Sequence, residues 1–113
     1  MKLIFLSYPV KDLKEALKFY RDNFGMEEAW REGEHTAALK LEGTDVQLML
    51  EQEDNELGPG GVFLVDSVDS FYEEHSDLEF IQKPFDIPPG RFATFKDNNG
   101  NLLRLIDETK ENQ

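Results

Sequence analysis

Cysteine is absent from the 113 residues of this chain. Its absence excludes disulfides, thiolate metal sites and cysteine nucleophiles, and it is compatible with the reducing cytoplasm, where we predict the protein resides. No apolar run approaches the length needed to span a membrane, and the apolar run at the N-terminus is too short for a signal peptide. We therefore expect no membrane partner.

Basic residues are also scarce, because 12 lysines and arginines stand against 24 acidic residues and give a net charge of −12. Such a field repels nucleic acid and anionic lipid, so we predict neither as a partner. It would attract a cationic ligand, although solubility alone explains it more simply. Histidine occurs only at His35 and His75, which we interpret as turn or surface residues because no catalytic spacing surrounds them.

Apolar side chains are plentiful enough for a folded body. Hydrophobic residues make up 39% of the chain and nine of them are phenylalanine, which is typical of a β-rich globular domain. At this length the chain forms one domain, which we place at residues 1–113.

Periodicity predicts the same order of elements twice. The first half, residues 1–52, contains a strand at 2–9, a helix at 11–24 that ends at Gly25, and strands near 26–32, 36–42 and 45–51. A polar linker covers 51–60. The second half, residues 60–108, contains a strand at 61–65, a helix from a cap at Asp66 or Ser67 to about 75, and strands near 78–84, 91–96 and 101–107. We expect Pro84, Pro88 and Pro89 in the connection between two of these strands, and a frayed tail at 110–113.

Three segments carry a family resemblance. They are Val10-Lys11-Asp12-Leu13, Phe19-Tyr20, and the hairpin of residues 90–105 around the turn Asp97-Asn98-Asn99-Gly100. With them the chain resembles the vicinal oxygen chelate superfamily, which includes glyoxalase I, extradiol dioxygenases, fosfomycin-modifying enzymes and bleomycin-resistance proteins. The resemblance implies an α+β fold in which two βαβββ modules form a curved mixed sheet around a cavity, with the helices outside.

The resemblance also implies where metal ligands would stand in this chain. Those positions hold Phe5, Gln47, Gly60 or Gly61, and Arg104. Phenylalanine and glycine offer no donor atom, arginine stays protonated, and a lone glutamine is a feeble neutral ligand. We therefore predict no divalent metal, no other cofactor and no catalytic residue.

A ligand-binding cavity remains the main functional expectation from the resemblance. Its predicted lining combines apolar and aromatic walls with a few polar anchors, which is typical of small-molecule sites: Phe5, Ser7, Trp30, Gln47, Met49, Phe63, Leu102 and Arg104. Arg104 either binds a carboxylate or phosphate ligand or forms a structural ion pair with Glu51 or Asp107. Trp30 either packs in the core or in a dimer interface, or stacks on a ligand.

These residues favour one function and leave two alternatives open. The favoured hypothesis is a metal-free binding protein that resembles bleomycin-resistance proteins and sequesters a small molecule in a cavity or in the groove of a homodimer. The first alternative is a metal-dependent lyase, isomerase or dioxygenase of the glyoxalase type, with unusual donors such as Gln47 and Glu51. The second is a structural or regulatory dimer with a vestigial pocket.

Overall fold

The order of helices and strands repeats once along the chain. The structure, a computed structural model, describes residues 1–53 and 57–111. The first βαβββ series is β1 (Lys2–Val10), α1 (Leu13–Phe24), β2 (Glu28–Glu32), β3 (Thr36–Lys40) and β4 (Gln47–Gln52). The second is β5 (Gly60–Leu64), α2 (Val68–Glu74), β6 (Glu79–Ile87), β7 (Gly90–Lys96) and β8 (Leu102–Ile106). This confirms the predicted α+β fold of two βαβββ modules.

The chain divides into two compact units. The first unit is Ile4–Pro59, and the second combines Met1–Leu3 with the residues from Gly60 onward. In the first unit the strand order is β2-β3-β4-β1, with antiparallel neighbours except for the parallel pair of β1 and β4. In the second unit the order β6-β7-β8-β5 repeats this arrangement, with β5 parallel to β8. Each ladder is therefore mixed, and the two have the same topology.

Helix α1 is fixed at both ends by local chemistry. Asp12 is extended and accepts a hydrogen bond from the Glu15 N–H, so it caps the helix and moves its start from the predicted residue 11 to Leu13. Gly25 ends the helix with a φ of 66°, a left-handed conformation that glycine adopts without steric cost. The apolar stripe of α1 packs on β3 and β4 in a core made of Leu13, Leu17, Ala37, Leu39, Leu48 and Leu50.

Helix α2 begins at Ser67, whose hydroxyl accepts a hydrogen bond from the Ser70 N–H. Of the two predicted N-cap residues, Ser67 rather than Asp66 therefore caps the helix. The helix packs on β7 and β8 through a core of Val68, Ala93, Phe95 and Leu105. One face of each strand ladder thus carries a helix, and the opposite face is left for other contacts.

Pro84 lies inside β6, so its predicted place in a connection is wrong. Strand β6 ends the strand order of the second unit, where a missing N–H breaks no ladder between two neighbours. Its register shifts between Phe80 and Gln82 and again between Gln82 and Phe85. The Pro84 carbonyl accepts a hydrogen bond from the Arg91 guanidinium at 3.1 Å, so the irregular strand is tied to β7.

Asp107 follows β8 and connects three parts of the second unit. Its carboxylate is fully buried and accepts hydrogen bonds from the backbone N–H of Val68 at 2.7 Å and of Arg91 at 2.9 Å. The Thr109 N–H and hydroxyl also donate to it. Burial by itself raises the pKa of Asp107, but these hydrogen bonds stabilise the ionised carboxylate and together hold that pKa below its ordinary value.

Two predicted segments are described only in part. Asp54, Asn55 and Glu56 of the predicted linker, and residues 112–113 of the predicted tail, lie outside the described residues. Lys110 is held by a hydrogen bond from its N–H to the Pro89 carbonyl and by an ion pair with Asp86 at 3.2 Å. Within residues 1–53 and 57–111, neither helix is long and apolar enough to cross a membrane.

Candidate ligand-binding face

The first unit brings five of the predicted site residues onto one sheet face. In the parallel pair of β1 and β4, Phe5 is opposite Gln47 and Ser7 is opposite Met49. Register partners point to the same side of a sheet. Leu48 and Leu50, which alternate with Gln47 and Met49 along β4, pack on α1. The predicted orientation of Gln47 and Met49, away from the helix, is therefore confirmed. We name the set Phe5, Ser7, Trp30, Gln47 and Met49 the ligand face.

A hydrogen bond and a ring contact organise the ligand face. The Trp30 indole N–H donates to Oε1 of Gln47 at 2.9 Å. The Trp30 ring meets Phe5 edge to face, with 5.6 Å between the ring centroids and an interplanar angle of 72°. Strand β3 lies between β2 and β4, so the indole must cross it. Ala38, the register partner of Trp30, is small enough to leave room for that crossing.

Burial varies across the ligand face. Ser7 and Met49 are buried, at 1% and 6% exposure, whereas Phe5, Trp30 and Gln47 are only partly buried. The two aromatic rings and the amide of Gln47 are therefore the accessible parts of this face. The accessible part of the face offers apolar area with the amide of Gln47, and apolar walls with a few polar groups are the usual make-up of a small-molecule site.

The second unit places Leu102 and Arg104 on the face of its ladder opposite α2, as predicted. Leu103 and Leu105 pack toward α2, so the alternate residues of β8 point away from it. Arg104 is buried at 2% exposure, with Val62 and Thr94 as its register partners on the neighbouring strands. Neither partner was predicted, because strand register is not visible in the sequence.

The predicted orientation of Phe63 is wrong. Phe63 packs against the helix-side cluster of the second unit, next to Leu105, which is its register partner on β8. Partners in a ladder share a face, so Phe63 cannot point the same way as Arg104. Val62 takes that position instead.

Gly60 occupies a position where a side chain has no room. A Cβ built on Gly60 would lie 2.6 Å from the Leu102 carbonyl oxygen and 2.9 Å from Nη1 of Arg104. Gly60 or Gly61 stands at one of the positions where the family resemblance implies a metal ligand, such as a histidine. At Gly60 the backbone of β8 and the guanidinium of Arg104 fill the space that a histidine would need.

A separate cavity of about 640 Å³ lies in the first unit, at the end of α1. Its lining contains none of the predicted site residues and was not found by sequence reasoning; it consists of Phe24, Gly25, Met26, Glu27, Lys40, Leu41 and Glu42. Phe24, which lines this cavity, also contacts Phe19 on α1, with 5.9 Å between the ring centroids. The two residues are 63% and 54% exposed, respectively.

The family model for the Glyoxalase/Bleomycin resistance protein/Dioxygenase superfamily matches residues 2–105. The chain belongs to this superfamily. Its matched range covers both βαβββ modules except Ile106, the last residue of β8, and includes every residue of the ligand face. No curated protein sequence matches the chain.

Solved structures with the same superfamily fold resemble the chain over nearly its whole length. An NAD-dependent benzaldehyde dehydrogenase from Legionella pneumophila is 21% identical, with a TM-score of 0.75 over 92% of this chain and 97% of that one. A variant of the Streptomyces coelicolor methylmalonyl-CoA epimerase is 20% identical, with a TM-score of 0.71 over 96% and 94%. The epimerase from Mycobacterium tuberculosis is 20% identical, with a TM-score of 0.61 over 94% and 87%. At these identities the likeness establishes the fold alone.

Proposed function

We propose that this glyoxalase-superfamily protein binds a small molecule on the ligand face without a metal ion. The observation that carries the proposal is the Trp30–Gln47 hydrogen bond, with Phe5 packed against the indole. It supports binding because two partly exposed rings flank an oriented polar group. It supports a metal-free site because Gln47 stands at one of the implied metal-ligand positions. Its Oε1, the side-chain atom that could bind a metal, accepts a hydrogen bond from the indole.

The residues at the implied metal positions do not suit a divalent cation. Phe5 has no donor atom, Gly60 has no side chain, and Arg104 carries a positive charge that repels a cation. Gln47 would have to give up its contact with Trp30 before its oxygen coordinated a metal. Among the described residues, no three His, Cys, Asp or Glu side chains are grouped so that they could hold an ion. We derive no catalytic step through a metal.

Metal content and ligand binding test the proposal together. We expect protein purified without a tag or chelator to hold no stoichiometric metal, even after incubation with Ni, Zn, Mn or Fe(II), as measured by elemental analysis. We also expect the metal-free protein to bind compounds that change the fluorescence of Trp30, the only tryptophan in the chain. Trp30→Phe is the control, since it removes that signal and keeps a ring. One tightly held metal per chain would contradict the proposal and favour a glyoxalase-type enzyme.

We also propose that two chains associate as a homodimer in the cytoplasm, as superfamily members commonly form dimers. The exposed pair Phe19 and Phe24 supports this, because apolar rings on a helix surface are stabilised by burial. We expect sedimentation velocity at micromolar concentration to show a dimer, and the double change Phe19→Ser and Phe24→Ser to yield a monomer. Phe85→Ser is the matched control, since Phe85 is 40% exposed in the other unit. A monomeric wild-type chain would contradict the proposal.

A further inference from the structure

The Trp30 indole determines which way the Gln47 amide points. An indole N–H only donates hydrogen bonds, so the amide atom that faces it at 2.9 Å must be the oxygen. The opposite orientation would bring two donors together and lose the hydrogen bond. The Gln47 nitrogen therefore points away from the indole, with its two N–H groups turned toward other partners.

The indole that orients the amide is itself held in place. Phe5 contacts its ring edge to face, and Phe5 is also the register partner of Gln47 on β1. Trp30 lies on β2 opposite Ala38 of β3, whose small side chain leaves room for the indole to reach Gln47. An amide whose orientation is set before binding loses little conformational entropy when it meets a ligand.

The nitrogen of Gln47 is available to a ligand. Within the described part of the chain, the Gln47 side chain forms one hydrogen bond, the contact with Trp30. Gln47 is only partly buried, so part of its side chain is accessible from outside the protein. A neutral amide nitrogen donates hydrogen bonds and accepts none.

We propose that Gln47 selects ligands that present a carbonyl or carboxylate oxygen, attached to an apolar body that packs on Phe5 and Trp30. This inference rests on the proposed function and adds the polarity of the ligand. Gln47 acts on the ligand through its N–H groups as a hydrogen-bond donor. A metal ion would instead need the Gln47 oxygen as a ligand. A ligand whose only polar group is an ammonium would place its N–H groups against those of Gln47, and would bind more weakly.

Gln47→Glu reverses this polarity with little change of shape. One carboxylate oxygen of the variant accepts the hydrogen bond from Trp30, and the other replaces the nitrogen, so a donor becomes an acceptor. Three probes share one ring and differ in polarity: cyclohexanone, cyclohexanecarboxylate and cyclohexylammonium. Titrations at high salt screen the net charge of −12, which otherwise favours the cation. The readouts are Trp30 fluorescence and the NMR signals of the Gln47 side-chain amide.

We expect the wild-type protein to bind the two oxygen-bearing probes more tightly than the ammonium, with a shift of the Gln47 amide signals. Gln47→Glu is expected to weaken their binding about tenfold or more, the effect of one lost hydrogen bond near the upper end of its range, and to strengthen binding of the ammonium. Trp30→Phe keeps a ring but leaves the Gln47 amide free to turn. We therefore expect this variant to prefer the oxygen-bearing probes over the ammonium by a smaller factor, without reversing the order. Thermal unfolding of both variants checks that they fold.

The possible failures are distinguishable. If the wild type and Gln47→Glu rank the probes identically, or if the ammonium binds the wild type best, the assigned polarity is wrong while binding on the ligand face stands. If no probe at any concentration changes the Trp30 or Gln47 signals, the proposed function is overturned as well.

Discussion

Gly90→Ala is expected to lower the free energy of unfolding by about 3 kcal/mol, the upper end of the usual range for overpacking a buried site. Gly90 is buried at the start of β7. A Cβ there would lie 2.2 Å from Oδ1 of Asp107 and 2.6 Å from the Asp107 backbone oxygen. A side chain can rotate away from such a contact, but the backbone at Asp107 cannot. Either β7 shifts or the hydrogen bonds of Asp107 are lost.

Gly58→Ala is the matched control for this prediction. A Cβ at Gly58 would meet nothing within 4 Å, and its φ lies outside the left-handed region. The change is therefore expected to be neutral or to stabilise by up to about 1 kcal/mol, since alanine restricts the unfolded chain. Urea denaturation at neutral pH measures both variants. Equal unfolding midpoints for Gly90→Ala and the wild type would show that the strand ends adjust without cost.

Asp107→Ala is expected to cost about 3 to 5 kcal/mol of unfolding free energy, since it leaves several buried or partly buried donors without an acceptor at once. The N–H groups of Val68 and Arg91 would lose their acceptor, and so would both donors of Thr109. Water reaches these groups poorly, because Asp107 is fully buried. The start of α2, the start of β7 and the chain after β8 would each lose the same anchor. Chemical denaturation at pH 7 gives the value.

Asp97→Ala provides the comparison for Asp107→Ala. Asp97 also accepts several hydrogen bonds from neighbouring turn residues, but Asp97 is only partly buried and these bonds lie at the surface, so water replaces the lost acceptor. We expect a much smaller loss of stability there. Similar losses for the two variants would mean that burial at Asp107 contributes little.

The anchor at Asp107 also predicts how stability depends on pH. Burial raises its pKa, but the hydrogen bonds outweigh burial and leave the folded-state pKa below the ordinary value of 3.8. A depressed carboxylate pKa contributes stability above the unfolded-state pKa, and this contribution is lost as the pH falls through the folded-state pKa. We therefore expect the free energy of unfolding to decrease as the pH falls below about 4. The Asp107→Asn variant is expected to show a weaker dependence of this free energy on pH. The pKa values of Asp86 and Asp97 are also lowered, so these two residues account for pH dependence of the unfolding free energy that remains in the Asp107→Asn variant.

One-sided burial explains which parts of the fold were predictable. The stripe on α1 and the alternation of β4 are visible in the sequence because one face of each packs on a core. Asp12 and Gly25 mark the ends of α1 through their own side-chain and backbone chemistry. These features depend on residues close together in the chain, so the order of elements and both βαβββ modules were predicted correctly.

Features that depend on register were not predictable in the same way. Phe63 was placed on the wrong face because its partner on β8 is 42 residues away in sequence, as its pairing with Leu105 shows. The Trp30–Gln47 hydrogen bond joins strands that are not neighbours, across Ala38 of β3. The acceptor role of Asp107 likewise requires three distant segments to meet. The sequence contains these residues but not the distances between them.

The irregular outer strand β6 limits how copies of this protein meet. Pro84 lacks an N–H, and the two register shifts of β6 break the even row of backbone groups that another strand would need. A second molecule therefore finds no continuous backbone template along this strand. Association there depends on side chains instead, and the protein is shielded at β6 from the open-ended strand stacking that leads to fibrils.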